Sequence, residues 1–188
     1  MLSDPSTSSP QSSSTSPAPE VKLEFYHPRH LEALMKFELP AEQHRFTALP
    51  VEVLDRALTD PDRYPVVITA AGEAVGFFIL HIGTGILSYQ SYTSTPVSEL
   101  MLLRALLIDY SRQGRGYAGQ AMRQLPDWVG QHFSEIRELI LAVNVKNEPA
   151  QQLYSRYGFI DQGMRRQGIV GLQWIMHYFL SFDRVGRY

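Results

Sequence analysis

The densest chemical signal in the chain is Arg112-Gln113-Gly114-Arg115-Gly116-Tyr117-Ala118-Gly119. It follows an apolar run and opens a helical pattern, so its successive backbone N–H groups can surround an anion at a helix N-terminus. Glycine suits such a loop because a Cβ would hold a phosphate away from the backbone. A tight strand-to-helix turn is the plainer reading of the same residues. Several glycines and an arginine at a helix start favour anion binding. Read literally, Gly114 to Gly119 also satisfies G-x-G-x-x-G, the dinucleotide fingerprint. That context requires the glycines to follow the strand directly and an acidic residue about 20 positions on, closing the next strand. Here the next strand is expected to end at Asn144-Val145, with Glu138 before it, and no second βαβ half follows. NAD is rejected.

Two further residues stand out. Asn147, with Pro149 in the first turn after it, reads as a helix N-cap. Tyr154 shares a helical face with Ala150, Leu153 and Tyr157, a spacing that marks core more often than catalysis. A buried tyrosine hydroxyl still needs a polar partner.

The elements that must position these residues alternate between strand and helix periodicity. Strands are expected at 21–26, 64–70, 74–82, 100–108 and 139–145, with two more at the C-terminus separated near Gly168–Gly171. The second and third join through Ala71-Gly72-Glu73 as a hairpin. The nearly all-apolar 100–108, interrupted by Arg104, reads as a central strand covered on both faces. Helices are expected from Pro28 to before Pro40, from Pro50 to Asp60, from Gly116 onward and over 148–157, and residues 83–97 read as a loop. Pro126 is expected to kink or break the third helix. The order β-α-α-β-β-β-α-β-α-β-β is an α/β sandwich with a mixed sheet.

Composition narrows the class. The 188 residues carry a net charge of −2 and no cysteine. Near-neutral charge argues against nucleic acid as a partner. No apolar run reaches the roughly 20 residues needed to span a bilayer. The absence of cysteine excludes a disulfide framework and a thiol nucleophile, and favours a cytoplasmic setting. Residues 1–19 are rich in Ser and Pro with Asp4 as the single charge. They are expected to form a disordered leader without the basic and apolar regions of a signal peptide. Residues 20–188 are expected to form one domain.

Read from Gln113, the loop is Q-x-x-G-x-A. The segment from Asn144 to Phe159 contains N-x-x-A-x-x-L-Y-x-x-x-G-F. These two motifs, in this order and in this element pattern, resemble the GNAT superfamily of acetyl-CoA-dependent N-acyltransferases across about residues 21–180. Leu107-Ile108-Asp109 running into Gln113–Tyr117 most resembles the bacterial spermine/spermidine acetyltransferase branch. The resemblance implies a GNAT fold: a mixed central sheet of about seven strands, flanked by about four helices and splayed between the fourth and fifth strands. It implies acetyl-CoA as cosubstrate. The amides of Gln113, Gly114, Arg115, Gly116, Tyr117, Ala118 and Gly119 would hold the pyrophosphate, and backbone groups of Leu106 and Ile108 would pair with the pantetheine arm. Asn147 would hydrogen-bond near that arm, and Tyr154 would protonate the departing thiolate. Plain core packing also explains Leu106 and Ile108, and both readings can hold together.

An acceptor amine must lose a proton before attack. For a lysine-like pKa of about 10.4, that costs roughly 4 kcal/mol near neutral pH. Many members of the family place a carboxylate on the central strand; here that stretch holds Arg104 and no acid, and Glu99 just before it reads as a solvated strand-end residue. A relay of water through backbone carbonyls is the alternative. Substrate selection in this family usually comes from segments matching 39–50 and 83–97. Glu38 and Glu42 would attract a cation, or are merely solvated; Phe46, Tyr89 and Tyr92 would line a slot or cover the core. No third ligand accompanies His27 and His30 at metal-site spacing, so both are expected on the surface, and His177 is expected to be structural. Met101, Met122, Met164 and Met176 read as core.

The expected activity is acetyl transfer from acetyl-CoA to the primary amine of a small molecule (polyamine, amino sugar or amino acid) by direct attack in a ternary complex. Neither a cysteine nor a serine in a nucleophile elbow supports an acyl-enzyme. Alternatives are a protein or peptide N-acetyltransferase and a non-catalytic acyl-CoA-binding module. The two C-terminal strands offer edges for a homodimer.

Overall fold

A computed structural model describes residues 19–181. The Ser/Pro-rich leader up to residue 18 lies outside the described residues. Seven strands form one mixed sheet in the order β1-β2-β3-β4-β5-β7-β6. They are β1 (Val21–Phe25), β2 (Arg63–Ala70), β3 (Glu73–His81), β4 (Leu100–Ile108), β5 (Glu138–Asn144), β6 (Ile160–Gly168) and β7 (Gly171–Phe179). The α-helices are α1 (Leu31–Leu34), α2 (Ala41–His44), α3 (Pro50–Thr59), α4 (Tyr117–His132) and α5 (Glu148–Arg156).

Both faces of the sheet are covered because its central strands are apolar on both sides. Val66, Phe78, Leu80, Met101, Leu103, Leu139 and Leu141 join Met122, Leu125 and Val129 of α4 and Tyr154 of α5 in one core. On the opposite face Val67, Phe77, Ile79 and Leu107 pack against Leu34 of α1 and Leu54 and Ala57 of α3. Residues 83–97 cover the rest of that face, with Ile86, Tyr89 and Tyr92 over Leu100, Leu102, Ile140 and Ile175.

The element order and the mixed sheet agree with the sequence reading; several details differ. The turn between β2 and β3 is two residues, Ala71 and Gly72 (φ 50° and 82°), because Ala70 already pairs with Glu73. This is the left-handed turn that matches strand twist. The first helix is only a 3₁₀ turn at Pro28–His30 followed by α1. The chain leaves the helical path because Glu38 bonds to the segment after β4: its N–H donates to Asp109 Oδ1 (2.9 Å) and its carbonyl accepts from Tyr110 N (3.0 Å). The 83–97 segment is wound into 3₁₀ turns at Gly83–Tyr92 and Val97–Glu99. β5 starts at Glu138 itself.

Pro126 does not break α4, which runs continuously through it. One lost backbone bond is outweighed by the buried stripe Met122, Leu125 and Val129 that holds both halves on the sheet. His30 is buried rather than on the surface, since its Nδ1 accepts from His27 N (3.2 Å) in the cap of the 3₁₀ turn. Met164 is exposed, unlike Met101, Met122 and Met176. Only β6 of the last two strands presents an edge, because β7 is paired on both sides. That edge is interrupted by a bulge between Asp161 and Arg165, a device that discourages strand addition.

Candidate active site

The site grows out of one irregularity in β4. Opposite Phe77–Ile79 of β3 the register of β4 jumps from Leu107 to Arg104, and Ala105 sits at φ +54°. A non-glycine residue there is strained by about 1 kcal/mol or more, and a bulge re-aims the strand that carries it. β4 accordingly pairs with β5 at only three positions, Leu100–Glu138, Met101–Leu139 and Leu102–Ile140, before the two separate.

The resulting V opens into a groove of about 730 Å³. Its lining includes every residue singled out above for cofactor binding or catalysis: Leu106, Ile108, the whole run from Gln113 to Gly119, Asn147 and Tyr154. Arg104, Arg112, Arg115 and Arg156 line it too, and none of its lining residues is a carboxylate.

The loop from β4 to α4 has the form its glycines dictate. Gly114 and Gly116 take φ of 74° and 78°, which L side chains seldom adopt, and Gly116 is the N-cap of α4. The first helical bond donor is Gln120, to the Gly116 carbonyl at 3.0 Å. The amides of residues 114–119 donate no hydrogen bond among the described residues. Six unengaged N–H groups at the positive end of a 16-residue helix form an anion cradle. Gly119 serves packing as well, since a Cβ there would lie 2.4 Å from the Tyr157 hydroxyl at the end of α5.

Gln113 anchors this loop. Its side-chain amide donates to the Ile108 carbonyl (3.0 Å) and to Gln43 Oε1 (2.8 Å), and Gln43 Nε2 donates back (3.1 Å). Thr47 Oγ1 donates to the Leu106 carbonyl at 3.3 Å. The two backbone carbonyls expected to face pantetheine thus each already accept one bond and keep a second lone pair. Sequence reasoning missed Gln43 and Thr47 as supports, although both lie in the 39–50 segment.

Across the groove, Asn147 caps α5, its Oδ1 accepting from Ala150 N at 3.4 Å, so the plain capping role is present. Asn144 fixes the corner before it by accepting from Lys146 N (2.9 Å) and donating to the Val170 carbonyl (3.2 Å). Tyr154 is buried against Phe159. Its hydroxyl has no hydrogen-bond partner among the described residues, and burial drives its pKa well above the ordinary tyrosine value. The phenol therefore stays protonated beside the groove.

Other candidates fall away from this centre. Glu38 and Glu42 are exposed, and neither they nor Glu99 line the groove. Phe46 lines it, whereas Tyr89 and Tyr92 cover the sheet beyond its edge. His177 is fully buried with Nδ1 2.6 Å from Glu138 Oε1, a structural pairing.

Comparisons with known proteins agree with this fold. The acetyltransferase (GNAT) family profile matches residues 31–159. A Bacillus subtilis protein described as the uncharacterized N-acetyltransferase YbbJ is 45% identical over 161 residues, spanning 86% of this chain and 98% of its own. In fold the chain is similar to aminoglycoside acetyltransferase AAC(6')-Ib in complex with coenzyme A: TM-score 0.67 at 17% identity, over 85% of this chain and 94% of that one. It is also similar to a Vibrio cholerae spermidine N-acetyltransferase in complex with CoA and spermine: TM-score 0.65 at 16% identity, over 86% and 96% of the two chains. The chain belongs to the GNAT family of acetyltransferases, and it is an acetyl-CoA-dependent N-acetyltransferase.

Proposed function

We propose that the chain transfers an acetyl group from acetyl-CoA to the primary amine of a small molecule, by direct attack while both are bound in the groove. The observation that carries this reading is the single groove that joins the unengaged amides of residues 114–119 to an unpartnered Tyr154 hydroxyl. In this reading the amides and Arg115 hold the pyrophosphate. The edge of β4 beyond Leu102, left unpaired by β5, aligns the pantetheine arm through Leu106 and Ile108. The Asn147 side-chain amide reaches the same arm. The amine nitrogen forms its bond to the acetyl carbon, the carbon–sulfur bond breaks, and Tyr154 gives its proton to the departing thiolate.

No carboxylate lines the groove to take the proton from the amine. Arg104 shifts that balance instead, because a fixed positive charge beside an ammonium favours its neutral form. The proton then passes to water in the open groove. We place the reaction in the cytoplasm, where the charged acetyl-CoA is retained.

CoA should raise the melting temperature, by the linkage between ligand binding and folding, and NAD should leave it unmoved. Stabilisation by NAD without stabilisation by CoA would refute the loop assignment.

A further inference from the structure

The groove lining carries Arg104 and no carboxylate, where a polyamine site would need anions. Arg104 lies at the start of the bulge, lines the groove, and points its Nη1 to within 3.3 Å of His81 Nδ1. It makes no ion pair among the described residues. Desolvation, and then the like charges of Arg63, Arg56 and Arg166, lower its pKa, with Tyr89 acting the other way and no carboxylate contributing. On β6, outside the groove lining, the Arg166 guanidinium stacks over the Tyr89 ring, 4.5 Å from its centroid. Arg166 also makes no ion pair among the described residues, and its Nη1 is buried without a hydrogen-bond partner. The Tyr89 hydroxyl feels the charge of both guanidinium groups.

Three acids of this region are committed elsewhere, and Asp62 acts on His81 rather than on Arg104. Asp60 is paired with Arg63 (2.8 Å), Asp161 with Arg165 (2.8 Å) and Glu138 with His177 (2.6 Å). Two arginines that feel each other's charge and have no counter-charge, one with a desolvated donor, gain most when an anion arrives. Arginine offers a planar fork suited to carboxylate and phosphate, and stacking on Tyr89 pre-orients one of the forks.

We propose that the acceptor is a primary amine that also carries an anionic group, a carboxylate or a phosphate, which Arg104 and Arg166 bind beside Tyr89. This rests on the acetyltransferase reading above and selects amino acids or amino phosphates over polyamines and neutral amino sugars.

The test compares amines that differ only in the anion, by thiol release from acetyl-CoA with the full chain. The pairs are ornithine against putrescine, lysine against cadaverine, and phosphoethanolamine against ethanolamine. The anionic member of at least one pair should be favoured by about 10- to 100-fold in kcat/KM, the range expected for one or two charge-assisted contacts. The pair that shows the preference tells carboxylate from phosphate. Arg166→Gln should collapse that ratio mainly by raising KM for the anionic member, with the melting temperature kept as the check on folding. Equal rates within every pair, or faster acetylation of putrescine and cadaverine, would overturn the proposal while leaving the acetyltransferase reading intact. Absence of thiol release with every amine would overturn both.

Discussion

Tyr154→Phe should lower kcat by about 100-fold or more, the usual contribution of a positioned general acid, while the affinity for CoA stays within about twofold. The separation follows from the geometry. The hydroxyl donates to no protein group among the described residues, so its removal breaks no internal bond and leaves the ring packed against Phe159. Stability should change little, well under 1 kcal/mol, as for substitutions that create neither cavity nor orphaned group. The lost step is proton delivery to the thiolate. Burial holds the phenol protonated across the working pH range, so the wild-type donor never titrates away under assay conditions. Unchanged turnover in the variant would remove Tyr154 from the chemistry and return it to the core.

The largest effect on stability should come from Glu138→Leu. Glu138 begins β5 at the closed end of the splay, opposite Leu100. Its two oxygens hold separate parts of the fold together, Oε1 meeting His177 Nδ1 of β7 and Oε2 accepting from Thr93 Oγ1 of the covering segment, each at 2.6 Å. Both Glu138 and His177 are completely buried, and His177 Nε2 already lacks a partner. Removing one member of such a pair leaves the other polar group stranded, which costs about 3–5 kcal/mol. In a domain of this size that corresponds to roughly 10 °C in Tm. Replacing both, Glu138→Leu with His177→Phe, should recover much of the loss, since paired removal strands neither group.

The same network predicts a pH dependence. Burial alone would raise the pKa of Glu138, but hydrogen bonds from His177, Thr93 and Thr95 outweigh it and hold the carboxyl below its ordinary 4.5. A depressed folded-state pKa contributes stability in full above the unfolded value and loses it as pH falls toward the folded one. Wild-type stability should therefore decline as pH drops below about 4.5, and chemical denaturation of Glu138→Leu should show a shallower decline. A variant with wild-type stability at neutral pH would contradict the network's role.

The cofactor side of the groove is legible in the sequence because its chemistry demands particular residue types. Gly114 and Gly116 mark left-handed positions, and an apolar strand before them fixes where the helix starts. Asn147 and Tyr154 follow from the second motif, and the helix they share has one buried face. The acceptor side is not legible in this way. The bulge rests on Ala105, and an alanine at φ +54° leaves no mark in the sequence; its register against β3 decides the conformation. Arg104 reads alone as an absent carboxylate. Its meaning comes from the charge it shares with Arg166 and Tyr89, which a strand and a loop far apart in the chain bring together. Glu138 and His177 are likewise 39 positions apart, and only the β5–β7 pairing brings them into contact. Pro126 shows the reverse case, a strong local signal overruled by a buried helical stripe.

One groove is proposed to hold acetyl-CoA and an amine together and to pass the acetyl group between them directly. Initial rates of thiol release, measured while acetyl-CoA and a reactive amine are varied against each other, decide this. The amine comes from a panel of polyamines, amino sugars, amino acids and peptides. Direct transfer requires release only when both substrates are present, stoichiometric with N-acetylated amine, and double-reciprocal lines that intersect. Parallel lines, the kinetic mark of an acyl-enzyme, or no release with any amine despite tight CoA binding, would contradict it.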